Sequence, residues 1–169
     1  PFRDVGVCPG HPHGVLVTFK PDGEIFEETV FDYEILLERL REQAFLNAGV
    51  RIVLRDERTE LPEGGYREDD LLFEGGIKSF ITYLCDQRRD EPIHPEVLYM
   101  KAESGTSVAE IAMQYNDSYN AVLLTFANNM RTVEGGTHET GFKLGLTKAI
   151  NDYGRKAGIL KESDKNLSG

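Results

Sequence analysis

Residues 126–142 read FANNMRTVEGGTHETGF, with two adjacent asparagines, a paired glycine and a Thr-His-Glu run behind an acid. Three chemistries are open to such a stretch: an acid–base relay, a phosphate cradle, or a turn that launches a helix. A relay would use Thr137, His138 and Glu139, but adjacent residues on a helix point to different faces. A cradle would use Gly135 and Gly136 ahead of a helix N-terminus, whose free amides and dipole attract anions. Glu134 and Glu139 flank that position and would repel a phosphate, and no Lys-Ser/Thr pair follows as in a P-loop. The turn is the favoured reading, with Thr137 as N-cap and Glu139 or Thr140 completing the first helical turn.

Other reactive residues are scattered. Cys8, His11 and His13 in CPGHPH have metal-binding side chains, but Pro9 and Pro12 constrain them and no fourth ligand is near. His94, in PIHPE, has no Ser or Cys partner at a recognisable spacing. Cys85 lies in the helical stretch IKSFITYLCDQ and reads as a buried free thiol, which fits a cytoplasmic protein. No GxGxxG, no CxxC pair, no Walker-type lysine and no acid/base pair of carboxylates stands out. From its residues alone the chain reads as a scaffold or coupling element, with no catalytic, cofactor-binding or metal-binding residue assigned.

The elements that would position these residues follow from periodicity. VLVTF (15–19) reads as a short strand, PDG as a turn signal, and EIFEETVF (24–31) as a second short strand or an extended link. Tyr33, Leu36, Leu37, Leu40 and Ala44 keep helical spacing, with Asp32 as N-cap and Asn47-Ala-Gly49 closing the helix. VRIVLRDER (50–58) alternates as a half-buried strand, LLFEGG (71–76) returns from it, and the acidic segment 56–70 between them reads as a solvated, mobile tip. Ile77, Phe80, Ile81 and Leu84 predict a second helix. Strands are expected at 97–103, 107–116 and 120–128, with a hairpin turn at NDSY between the last two. Phe142, Leu146, Ala149, Ile150 and Tyr153 mark a final helix, 137–156, facing a sheet; the polar tail KESDKNLSG is expected to fray. The order is that of an α/β sandwich, with helices packed on an antiparallel or mixed sheet.

Bulk properties narrow the partners. A chain of 169 residues and 19.0 kDa, 40% of it hydrophobic, suits one ordinary domain with a core of its own. Nine Phe and seven Tyr supply its aromatic packing, since Trp is absent. No apolar run approaches the ~20 residues of a membrane span. The net charge of −10 opposes autonomous binding to nucleic acid or anionic membrane. That charge is uneven: residues 131–169 hold seven Lys/Arg against five Asp/Glu, a net of +2, and residues 1–130 a net of −12. The chain opens on Pro1 in mid-phrase and reads as a piece of something longer.

Three ordered motifs carry a family resemblance. They are RLREQAFLNAGVRIVLRDER; then LLFEGGIKSFITYL with IHPEVLYM; then FANNMRTVEGGTHETGFKLGLTKAINDY. Together, over about Phe31 to Gly154, they resemble the transducer domain of bacterial type IIA DNA topoisomerases, meaning the B subunits of DNA gyrase and of topoisomerase IV. GVLVTFKPDGEIF resembles the end of the ATPase domain that precedes the transducer in those subunits, and PFRDVGVCPGHPH does not match the family.

The resemblance implies a ribosomal protein S-five domain-2-like two-layer sandwich, with helices on a mixed sheet and a left-handed crossover. It implies residues 1–30 as the last strand of an ATPase domain and 31–169 as a transducer that stops before the family's lysine-bearing loop. The function implied is coupling of ATP binding and hydrolysis to DNA strand passage and supercoiling. ATP and Mg²⁺ would serve the whole enzyme, bound outside this chain, which by itself should hydrolyse nothing. Implied partners are DNA, a second B subunit and A subunits in an A2B2 assembly. Val15 stands where the family usually has a Thr near the adenine pocket. The rival from another class is a non-enzymatic nucleic-acid-binding module of the same fold.

Overall fold

A computed structural model describes residues 14–15 and 21–168 of the chain. The CPGHPH stretch and most of the predicted strand 15–19 lie outside the described residues. Asp32 begins the first helix, α1 (Tyr33–Leu46), because its carboxylate accepts the otherwise free amides of Glu34 and Ile35 at 2.8 and 3.1 Å. Asn47 ends it, with its backbone N–H bonded to Gln43 O. Ahead of α1, residues 24–31, read as a short strand or an extended link, form no strand. Asp22 instead folds the chain into a turn, accepting the amides of Glu24, Ile25 and Phe26.

β1 (Ile52–Glu60) and β2 (Tyr66–Leu71) form an antiparallel hairpin. The returning strand is therefore 66–71 rather than 71–76, and only residues 61–65 are left as the tip. Most acids of 56–70 are exposed, and several are paired with arginines. Arg55 faces Glu68 across the ladder at 2.5 Å, Arg51 binds Asp70, and Arg58 binds Asp56. The Arg58 bonds hold the Asp56 carboxyl down at about 2.

α2 (Ile77–Arg88) follows, then β3 (Leu98–Ser104) and β4 (Ser107–Met113) as a second hairpin. The predicted strand 120–128 shrinks to β5 (Phe126–Ala127), which pairs with β6 (Met130–Arg131). The hairpin turn is thus Asn128-Asn129, and not NDSY. α3 spans Thr137–Lys156, as its periodicity predicts.

The class is α/β, as the element order predicts. α1 packs on β1, β2 and α2, and α2 packs on β4, so two helices lie against the strands. Among the described residues the strands pair as three separate antiparallel hairpins.

The core sits between α1, α2 and the first hairpin. Tyr33, Leu37, Ala44 and Leu71 are buried together, with Leu40, Ile52, Leu54 and Phe73 packed around them. Phe45, 1% exposed, stacks on Phe73 and Phe80 with ring centroids 3.7 and 4.8 Å away. Burying such a ring contributes about 2–3 kcal/mol. Cys85 is a buried free thiol, as its helical context predicts, and burial pushes its pKa up. Tyr33 is the core's polar member. Its hydroxyl donates to Asp69 Oδ2 at 2.6 Å while the Arg67 guanidinium covers its ring, 3.8 Å from the centroid.

Candidate functional site

The stretch 126–142 is a docked joint. Asn128 and Asn129 both have positive φ, 49° and 64°, as a two-residue type I′ hairpin turn requires. Asparagine tolerates this conformation better than other residues with a Cβ, which explains the unusual Asn-Asn pair. The turn lies against α1: Gln43 Nε2 donates to Asn129 O at 2.7 Å, and Asn129 Nδ2 donates to Asn47 Oδ1 at 2.8 Å. Asn47 Nδ2 in turn donates to Gln43 O at 2.8 Å, closing a ring of amides around the α1 C-terminus.

Beside that ring, Glu42 is a buried carboxylate, 7% exposed. It accepts from Arg39 at 3.2 Å on its own helix and from Arg131 at 3.5 Å on β6. Two guanidiniums compensate its burial, so it joins α1 to the hairpin rather than standing ready as a base. A shallow groove runs over this joint between Arg39, Gln43, Met130 and Val133.

From the hairpin the chain turns into α3. Thr132 bonds Thr125 through backbone and side chain, and its Oγ1 lies 3.0 Å from His138 Nε2. Thr132 O accepts the amide of Gly135 at 3.0 Å. Gly135, at φ +75°, makes the reversal; a Cβ there would approach Glu139 Oε2 to 2.7 Å. Gly136 is extended, at φ 161°, and occupies the N-cap position. Thr137 is therefore the first helical residue and not the cap, and no side chain caps the helix. Thr140 Oγ1 donates to Gly136 O at 3.2 Å, and Glu139 is engaged by Lys143.

The three residues of a would-be relay thus have separate tasks. His138 is tied to Thr132, Glu139 to Lys143, and Thr137 starts the helix. His94 is likewise occupied: Nδ1 lies 2.7 Å from Glu96 O, and Nε2 accepts the Tyr115 amide at 3.0 Å. No group of three or more His, Cys, Asp or Glu among the described residues is arranged to hold a metal ion. Val15 is 90% exposed.

Beyond the joint, too, the chain departs from expectation. Of the apolar residues expected to face a sheet from α3, Tyr153 is 68% exposed and Ala149 and Ile150 are exposed, while Phe142 and Leu146 are half-buried. The buried residues of α3 are Asn151 and Gly154. The tail expected to fray, KESDKNLSG, is held instead, through bonds at Lys161, Asp164, Asn166 and Leu167. Sequence reasoning missed both this contact and the α1 side of the joint, although Asn-Asn before an apolar-polar pair is a readable type I′ signal.

Helices docked on hairpins, with charged groups spent on one another, define an α/β domain built as a joint. Similarity agrees with this architecture. The model of the family described as DNA gyrase B matches residues 76–169. The B subunit of DNA gyrase from Clostridium acetobutylicum is 50% identical over 171 aligned positions, covering 100% of this chain and 25% of that protein. The B subunit of DNA topoisomerase 4 from Enterococcus faecalis is 51% identical, covering 93% of this chain and 22% of that protein. Among solved structures, the 43K ATPase domain of Thermus thermophilus gyrase B, crystallised with an aminocoumarin, superposes with a TM-score of 0.72. Its identity is 34%, over 89% of this chain and 39% of that one. The chain belongs to the DNA gyrase B family. It spans about a quarter of the length of the curated relatives it matches. No helix among the described residues is long and apolar enough to cross a membrane.

Proposed function

We propose that this chain is the transducer of a type IIA DNA topoisomerase B subunit, residues 1–30 ending an ATPase domain and 31–169 forming the transducer. Its task is to pass the state of a bound nucleotide to the DNA-handling parts of the enzyme. The observation that carries this reading is the joint: α1, the 126–131 hairpin and α3 are locked by Glu42, Asn129 and Gly135. A change in the tilt of α1 therefore moves a 20-residue helix. At 1.5 Å per residue such a helix reaches about 30 Å, so a small rotation at one end becomes a large displacement at the other.

On this reading ATP and Mg²⁺ act elsewhere in the B subunit, and the chain itself carries no catalytic residue. DNA, a second B subunit and A subunits are the partners, in the cytoplasm. The 51% identity to a topoisomerase IV B subunit supports that enzyme as well as gyrase. The test is Glu42→Ala in the intact B subunit, assembled with its A partner. ATP turnover is expected to persist while supercoiling or relaxation per ATP falls. Loss of both in equal proportion would contradict a coupling role.

A further inference from the structure

The underside of α3 holds the stretch of chain that follows the helix. Asn151 is 6% exposed on an otherwise open helix. Its Nδ2 donates to Leu167 O at 3.0 Å and its Oδ1 accepts the Leu167 amide at 2.7 Å. A neighbouring β-strand offers one residue this same pair of bonds. A third bond, from Nδ2 to Thr147 O at 2.8 Å, fixes the side chain on its own helix.

Arg155, one turn on, spreads its guanidinium over the same segment. It donates to Lys161 O at 2.7 Å, Asp164 O at 3.0 Å and Asn166 Oδ1 at 2.7 Å. Between them Gly154 is buried, and a Cβ there would approach Leu160 Cδ1 to 3.0 Å. Gly154 O accepts the amides of Ile159 and Leu160, which turns the chain back along the helix. Asn151, Gly154 and Arg155 lie at i, i+3 and i+4, hence on one face.

We propose that Asn151, Gly154 and Arg155 are a latch that sets the course of residues 160–167, so that α3 and this segment move as one body. The inference rests on the reading of the chain as a coupling domain and adds positioning residues to it. Most of the latch bonds end on backbone atoms of 160–167, so the fastening depends on the path of that segment more than on its side chains. Without it, motion of α3 would be spent in bending the turn 157–166.

The test compares Asn151→Ala and Arg155→Ala with the parent sequence in the intact B subunit, assembled with its A partner. The first reading is amide exchange at Leu167, with Leu146 inside α3 as the internal control. The latch predicts that Leu167 exchanges about tenfold faster or more in Asn151→Ala, with Leu146 unchanged. It also predicts ATP turnover retained and supercoiling per ATP reduced in both variants. Unchanged exchange at Leu167 would overturn the latch, and so would faster exchange with full coupling. Glu42→Ala separates the two claims. Coupling lost there but kept in Asn151→Ala and Arg155→Ala sinks the latch alone; coupling kept in Glu42→Ala sinks the transducer reading itself.

Discussion

Asn129 donates its side-chain amide to Asn47 Oδ1 at 2.8 Å, across 82 residues of chain. One partner ends α1, and the other is the second residue of the turn that leads to α3. The bond joins two side-chain amides, while Gln43 Nε2 meets the turn carbonyl Asn129 O and Asn47 Nδ2 meets the helix carbonyl Gln43 O. Two helices far apart in sequence are thereby referred to a common point.

Gly135 should tolerate no β-branched residue. Gly135→Val places a side chain at φ +75° and against Glu139, and is expected to cost about 1–3 kcal/mol. Gly136→Ala meets no backbone strain, since φ 161° is extended, but its methyl would displace the His138 ring from 2.8 Å. Denaturant unfolding of the two variants should rank Gly135→Val as the less stable.

Tyr33 predicts an alkaline limit. Burial first, and then the bond to the Asp69 carboxylate, push its phenol up to about 12 from 10.0. The folded state holds the proton more tightly than the unfolded chain does. The stabilisation is therefore complete below pH 10 and lost as pH rises towards 12. Tyr33→Phe should lower stability at neutral pH by about 1 kcal/mol and flatten this alkaline decline. Urea unfolding measured from neutral pH up through the tyrosine's folded-state pKa checks both effects.

Exchange in the first hairpin should be sharply bounded. The ladder from Ile52 to Asp56 is reinforced by the Arg55–Glu68 and Arg51–Asp70 pairs, so its bonded amides should be protected. Fast exchange should be confined to residues 57–65, where the register breaks after Asp56 and the tip follows. Uniformly fast exchange from 56 to 70 would restore the expectation of a loose acidic tip.

The helices and the Asp32 cap of α1 were legible because their signals are local. Asp32 precedes the first periodic residue of α1, and Thr137 to Lys156 keep their helical period without a break. The strand NAVLLTFAN was misread because an apolar run without alternation carries no register; pairing is settled by the Asn128-Asn129 turn, which leaves two residues on each side. The tail KESDKNLSG looked frayed because it is polar, yet its anchors are mostly backbone atoms, which composition does not reveal. Within the joint, Gly135 and the turn were readable. The part of Glu42 was not, since its partner Arg131 is 89 residues away.

The central claim is that 126–142 is a joint and not an active site, and His138→Ala tests it most directly. In the complete topoisomerase, steady-state ATP turnover of this variant should stay close to the parent rate. The melting temperature should fall slightly, because Thr132 loses its 3.0 Å partner. Abolished ATP turnover with an unchanged melting temperature would contradict the account.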